Sequence, residues 1–124
     1  MATQKKSAIL VVDDEPRILE ALVCMLQREG FSVTGFTDPI EALHFFRHHS
    51  KDYGIVLSDI RMQGMNGFDL LRNIVAINPD AKVFLLTTFE IGKREFEKVM
   101  PSLRVEGFIK KPVSIETLAS VLEA

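Results

Sequence analysis

The chain has 124 residues, 47% hydrophobic and 26% charged, the composition of one globular domain that buries about two thirds of its unfolded surface. A formal net charge of −2 offers no basic field to draw nucleic acid and no polybasic membrane signal, and no apolar run approaches the ~20 residues of a spanning helix. Cys24 is the sole cysteine, which excludes an internal disulfide, and the polar start MATQKKSA holds no signal-peptide core, so the expected compartment is the cytoplasm. Along the chain the hydrophobic period switches repeatedly. Residues 8–12 (AILVV) form a continuous apolar run, the pattern of a strand covered on both faces. From Pro16 to Glu29 the apolar residues Ile18, Leu22, Met25 and Leu26 recur at helical spacing until Gly30. FSVTGF (31–36) alternates as a strand, and Asp38, Pro39 and Glu41 then open a second helix as N-cap, first residue and capping-box acid. YGIVLS (53–58) is the third strand, and FDLLRNIVAI (68–77) is a helix broken by Asn78-Pro79-Asp80. KVFLLT (82–87) is the fourth strand and Ile91 to Val99 a fourth helix. GFI (107–109) is a short fifth strand, and Ser114 caps a fifth helix to about Leu122.

Five strands alternating with five helices imply an α/β fold, a parallel sheet with helices on both faces. Ligands in such sheets bind beyond the carboxyl ends of the strands, so the residues after each apolar run are the informative ones. Asp13 and Asp14 follow the first run, Asp59 the third, Thr87 ends the fourth, and Lys110-Lys111-Pro112 follows the fifth. Three carboxylates, a hydroxyl and one or two ammonium groups therefore meet on one rim. Carboxylates so clustered need a cation or some of them protonate, and hard oxygen donors without Cys or a nearby His suit Mg²⁺ or Mn²⁺ rather than zinc. A lysine opposite the metal, with a hydroxyl beside it, completes a site for a phosphoryl group, and one carboxylate is placed to accept it as an acyl phosphate.

The segments ILVVDDEP, IVLSDIRMQGMNG, VFLLTT and GFIKKP together resemble the response-regulator receiver domain of two-component signalling, from Ile9 to the last helix. The resemblance implies a single domain over residues 1–124 (core about 7–123) with a flavodoxin-like five-stranded sheet of order 2-1-3-4-5. It implies Asp59 as phosphoacceptor. Asp14, Asp59 and the backbone carbonyl of Arg61 would be direct Mg²⁺ ligands, and Asp13 would act mainly through bound water. Thr87 would bond a phosphoryl oxygen, Lys111 would be the site lysine before a cis bond to Pro112, and Phe108 would be the aromatic whose rotamer follows Thr87. Phosphorylation would switch the surface of the fourth helix, fifth strand and fifth helix. The implied phosphodonor is a sensor histidine kinase or histidine phosphotransfer protein, and the output a downstream protein partner, with no nucleic acid and no membrane. The protein would thus be a phosphorelay signalling domain that catalyses its own phosphorylation and dephosphorylation rather than an enzyme. The sequence runs out at the last helix, which leaves a stand-alone receiver or one cut from a longer protein.

Several positions depart from the family pattern. Gln63 stands where Pro is usual and Asn66 where Asp is usual, with Gly64 and Gly67 expected to keep the turn flexible. Thr88 replaces a small residue, and Thr88 and Phe89 are expected to shield the phosphoryl group from water. Pro101 should stop the fourth helix near Val99 or kink it. Taken singly, each site residue has a plainer reading: Asp13-Asp14 as a helix cap, Asp59 as a turn residue, Thr87 as strand filler, Phe108 as core, Lys111 as a solvated charge. Two other functions fit parts of the pattern. One is a phosphorylation-independent interaction domain, against which the intact acidic and basic set argues. The other is a haloacid-dehalogenase-type phosphohydrolase, for which only Asp13-Asp14-Glu15 offers the acid pair. His44, His48 and His49 are expected to be solvated, Cys24 partly exposed, and Met62 and Met65 to fill loop gaps.

Overall fold

The first strand shows why the sheet forms where it does. β1 (Ile9–Val12) is buried at every residue, because its alternate side chains enter two different cores. Leu10 and Val12 face one, with Val56, Val83 and Leu85 of the neighbouring strands; Ile9 and Val11 face the other, with Leu57, Phe84, Leu86 and Ile109. A strand with two dry faces has no solvated side, which accounts for the unbroken apolar runs.

The computed structural model describes residues 8–88 and 105–122. In chain order its elements are β1, α1 (Pro16–Arg28), β2 (Val33–Phe36), α2 (Pro39–His49), β3 (Ile55–Asp59), α3 (Gly67–Ile77), β4 (Lys82–Thr87), β5 (Gly107–Lys110) and α4 (Ile115–Leu122). The predicted helix over Ile91–Val99, the Pro101 stop and Phe89 lie outside the described residues. The α4 of the structure is the fifth helix of the sequence reading. The strands form one parallel sheet in the order β2-β1-β3-β4-β5. Leu22 and Leu26 of α1 and Leu118 of α4 close one face, while Ala42, Leu43 and Phe46 of α2 and Leu70, Leu71 and Ile74 of α3 close the other.

Local chemistry sets the element ends. Asp38 caps α2 by accepting from the Ile40 amide at 2.9 Å, with Pro39 at the first turn. Ser114 caps α4, its Oγ accepting from the Thr117 amide at 3.2 Å. Gly30 closes α1 at φ 91°, a left-handed position open to glycine. β2 begins at Val33 rather than Phe31, because the Phe31 amide donates to the Leu26 carbonyl in that same closing turn. α3 starts at Gly67, one residue before its apolar pattern, because Asn66 is its cap and accepts from the Asp69 amide at 2.9 Å.

Two expectations change in kind. Gly67 was expected to lend flexibility, yet among the described residues only Gly30 and Gly64 have positive φ. Gly67 is needed because a Cβ there would overlap the carbonyl oxygen of Asp59, so its role is close approach of two backbones. His49 is exposed but not merely solvated: its ring stacks on Phe45 with centroids 4.3 Å apart and meets the edge of Tyr53 at 6.5 Å. Cys24 is exposed, and Met62 and Met65 pack against the α2–α3 core.

Candidate functional site

The sheet order reverses between β1 and β3: the chain steps to one side of β1 to make β2 and to the other to make β3. The helices that follow these strands fall on opposite faces, so a crevice opens beyond their carboxyl ends. Val12 is in register with Ser58, which brings the next residues, Asp13 and Asp59, together. Single carboxylate oxygens of Asp13, Asp14 and Asp59 all lie within 4.8 Å of one another.

The three aspartates are not equivalent. Asp13 is fully buried; its Oδ1 accepts from the Glu15 amide at 3.0 Å and its Oδ2 from Lys111 Nζ at 2.7 Å. Asp14 is exposed. Asp59 closes β3 with its side chain 17% exposed, and its Oδ1 accepts from the Ile60 amide at 2.9 Å and lies 3.3 Å from Lys111 Nζ. The plainer reading of Asp13-Asp14 as a helix cap is half right. α1 is entered at Glu15 without a side-chain cap, and Asp13 instead fixes the turn just before it. With both oxygens engaged and no exposed surface, Asp13 has no face for nucleophilic attack, which weighs against the phosphohydrolase alternative. Asp59 Oδ2 has no protein partner among the described residues.

Lys111 reaches the carboxylates because its amide donates to the Thr87 carbonyl at 2.7 Å, pinning the segment after β5 to the end of β4. The Lys111–Pro112 peptide bond is cis. Thr87 is buried at the last residue of β4, one beyond the Asp59–Leu86 pair. Phe108 is half-buried, opposite Leu85, against the α2–α3 core. Arg61 and Thr88 are exposed, and Lys110, the other lysine of the pair, is exposed at the end of β5. Thr88 and Lys111 border an apolar groove of about 430 Å³ against Ile18 and Met25 of α1. On the other side, Asp14 borders a cleft of about 540 Å³ shared with Thr37, Asp38 and Gln63. Of the sequence-predicted set, the structure brings Asp13, Asp14, Asp59 and Lys111 together; Thr87 ends the neighbouring strand, Phe108 packs against the α2–α3 core, and Phe89 lies outside the described residues. The contacts that the sequence did not reveal are backbone ones: the Ile60 amide on Asp59, the Glu15 amide on Asp13 and the seat of Gly67. The only signal for the last was a glycine directly after a capping residue.

The electrostatics follow from this packing. Burial pushes the Asp59 carboxyl up from its ordinary 3.8, the Lys111 charge opposes that, and the Asp13 charge adds to it. Burial alone would lower the Lys111 ammonium, but its hydrogen bond and charge pairing with Asp13, with Asp59 adding, hold it above the ordinary 10.5. Three carboxylates against one ammonium leave an excess of two negative charges, the amount that a divalent cation cancels. The donors are all hard oxygens, which suits Mg²⁺ or Mn²⁺.

Comparison with known proteins agrees with this architecture. Residues 9–123 match the family described as the response regulator receiver domain. The C4-dicarboxylate transport transcriptional regulatory protein DctD of Rhizobium meliloti is 33% identical over 114 residues, 90% of this chain and 23% of that protein. The probable transcriptional regulatory protein TcrX of Mycobacterium tuberculosis is 33% identical over 118 residues, 94% of this chain and 48% of that protein. The chain therefore spans less than half the length of either relative. Among solved structures, chemotaxis protein CheY4 of Vibrio cholerae superposes with a TM-score of 0.83 at 25% identity, covering 95% of this chain and 97% of that one. A response regulator receiver protein from Pseudomonas putida gives 0.78 at 28% identity, covering 98% of each chain. With a 2-1-3-4-5 parallel sheet, an acidic crevice at its switch point and a family match over nearly its whole length, this chain belongs to the response regulator receiver domains of two-component systems.

Proposed function

We propose that the chain is a single phosphoacceptor domain that takes a phosphoryl group onto Asp59 from the phosphohistidine of a sensor histidine kinase or histidine phosphotransfer protein. The observation that carries this is Lys111 Nζ held between Asp13 and Asp59, at 2.7 and 3.3 Å, beside three converging carboxylates. Asp59 Oδ2 attacks phosphorus while the imidazole nitrogen departs. The Ile60 amide and Lys111 hold Oδ1 and so orient the attacking oxygen. Lys111 also faces the charge that develops on the transferring group, and the Thr87 hydroxyl takes one of its oxygens. Asp14, Asp59 and the Arg61 carbonyl, with Asp13 beside them, would hold Mg²⁺ or Mn²⁺, which would supply charge neutralisation there. Thr87 and Phe108 carry the new contacts to the surface of the predicted helix over 91–99, β5 and α4, where a downstream protein reads them. The phosphodonor meets the chain in the cytoplasm.

The test is incubation with acetyl phosphate or phosphoramidate, with and without Mg²⁺, read by intact mass on the native chain and on Asp59→Asn. A Mg²⁺-dependent gain of one phosphoryl group, absent from the variant, is the expected result. No gain with Mg²⁺ binding confirmed overturns the proposal in favour of a phosphorylation-independent interaction domain. In the same assay Thr88→Ala with Phe89→Ala shortens the phosphorylated lifetime if those side chains shield the acyl phosphate; an unchanged lifetime removes that role.

A further inference from the structure

Asn66-Gly67 is the sequence most prone to a particular self-modification. The Gly67 nitrogen attacks Asn66 Cγ, a nitrogen–carbon bond forms, the Cγ–Nδ2 bond breaks, and ammonia leaves with the Gly67 amide proton. Water then opens the resulting five-membered imide. Cleavage at Cγ gives aspartate, and cleavage at the former backbone carbonyl gives isoaspartate, with the chain rerouted through the side chain. No oxidant or reductant is involved. Glycine at the second position favours the attack because no Cβ hinders the nitrogen.

The structure blocks this reaction at both ends. The nucleophile is occupied: the Gly67 amide donates to the Ile60 carbonyl at 2.7 Å, and Gly67 is buried. The electrophile is fixed: Asn66 Oδ1 accepts from the Asp69 amide at 2.9 Å and Nδ2 donates to Asp69 Oδ2 at 3.1 Å. The Asn66 backbone is extended, at φ −78° and ψ 165°, which leaves the Gly67 nitrogen out of the plane that ring closure needs. Asn66 itself is exposed, so neither water nor base is excluded. The hydrogen bonds that cap α3 and seat it on the Asp59–Ile60 backbone are therefore the bonds that keep Asn66 intact.

We propose that Asn66 is a latent deamidation site which the α3 cap holds shut, so that conversion to aspartate or isoaspartate reports opening of the α3 N-terminus. The two products have opposite consequences. Aspartate caps a helix as well as asparagine does and carries a charge suited to the helix N-terminus, so that product keeps the fold. Isoaspartate inserts an extra backbone carbon where Gly67 must lie against Asp59, and α3 is unseated.

The experiment follows deamidation at each asparagine by peptide mapping of the full chain in mildly alkaline buffer, native, in urea, and as Asp69→Ala. Asn73 and Asn78 are internal controls, since they precede the β-branched Ile74 and Pro79, which has no amide proton. Asn66 is expected to convert at least about tenfold more slowly in the native protein than in urea, because the reaction must wait for local opening. Asp69→Ala should fall between the two. Hydrogen exchange of the Gly67 amide in the native protein gives the same protection independently of any variant. Equal native and urea rates at Asn66, or an Asn66 that survives in urea like the two controls, overturns the proposal. None of these readouts uses phosphoryl transfer, so the outcome is separate from that of the proposed function.

Discussion

Asp59 sits where burial and a neighbouring carboxylate work against its charge. Its carboxyl is raised from 3.8 first by burial; Lys111 opposes this and Asp13 adds to it. A carboxyl whose folded value is raised binds its proton more tightly in the folded state. Its contribution to stability is then present below about pH 3.8 and lost as pH rises through the raised value. At neutral pH with metal chelated, Asp59→Asn should raise the melting temperature, and the gain should vanish in acid. A melting temperature that falls at neutral pH would show the pair with Lys111 outweighing burial. Lys111 has the opposite dependence: its raised value contributes stability below pH 10.5 that is lost at higher pH. Lys111→Ala strands the buried Asp13, and urea unfolding without metal should show a loss of about 3 kcal/mol. Mg²⁺ should recover part of it by replacing the missing positive charge.

Elements are positioned at this site by glycines whose neighbours differ in what they can yield. A Cβ on Gly67 would overlap the Asp59 carbonyl, which is backbone and cannot give way without moving Asp59 itself. A Cβ on Gly35 of β2 would meet Leu19 Cδ1 at 2.9 Å and Val23 Cγ2 at 3.1 Å, the ends of α1 side chains. Gly67→Ala should therefore cost about 3 kcal/mol or more and abolish phosphoryl uptake, whereas Gly35→Ala should cost about 1 kcal/mol and leave uptake intact. Denaturant unfolding together with the intact-mass assay distinguishes the two. Equal penalties would mean that α3 moves as freely over Asp59 as α1 does over β2.

At the scale of the whole molecule, the excess negative charge lies at one end of the sheet, on the elements that both cores support. A divalent ion binding only the folded crevice stabilises the entire domain by linkage. At tenfold excess over its dissociation constant that amounts to about 1.4 kcal/mol. For a domain of this size the melting temperature should rise by roughly 4–8 °C. The shift should be abolished in Asp14→Asn, which removes an exposed carboxylate without disturbing the Lys111 pair. A shift that survives in that variant would place the cation elsewhere.

The sequence by itself determined the alternation of strands and helices, the parallel class and the residues that follow each strand. Those depend on local hydrophobic period and on caps such as Asp38, Ser114 and Gly30, which act within a few residues of themselves. It also placed Asp13, Asp14, Asp59, Thr87 and the Lys110-Lys111 pair on one rim, because in a parallel sheet every strand ends on the same side; the family resemblance singled out Lys111. Tertiary structure decided what each member does there. Asp13 is the buried partner of Lys111, 98 residues away in the chain, and Asp59 is the partly exposed carboxylate, with one oxygen that has no protein partner among the described residues. That division follows from the Val12–Ser58 register and from the Lys111 amide bonded to the Thr87 carbonyl. Gly67 was misread as a flexible turn for the same reason. The backbone it must clear, at Asp59 and Ile60, approaches it only once β3 and α3 have packed, and a steric requirement between separate elements leaves no periodic trace in the sequence.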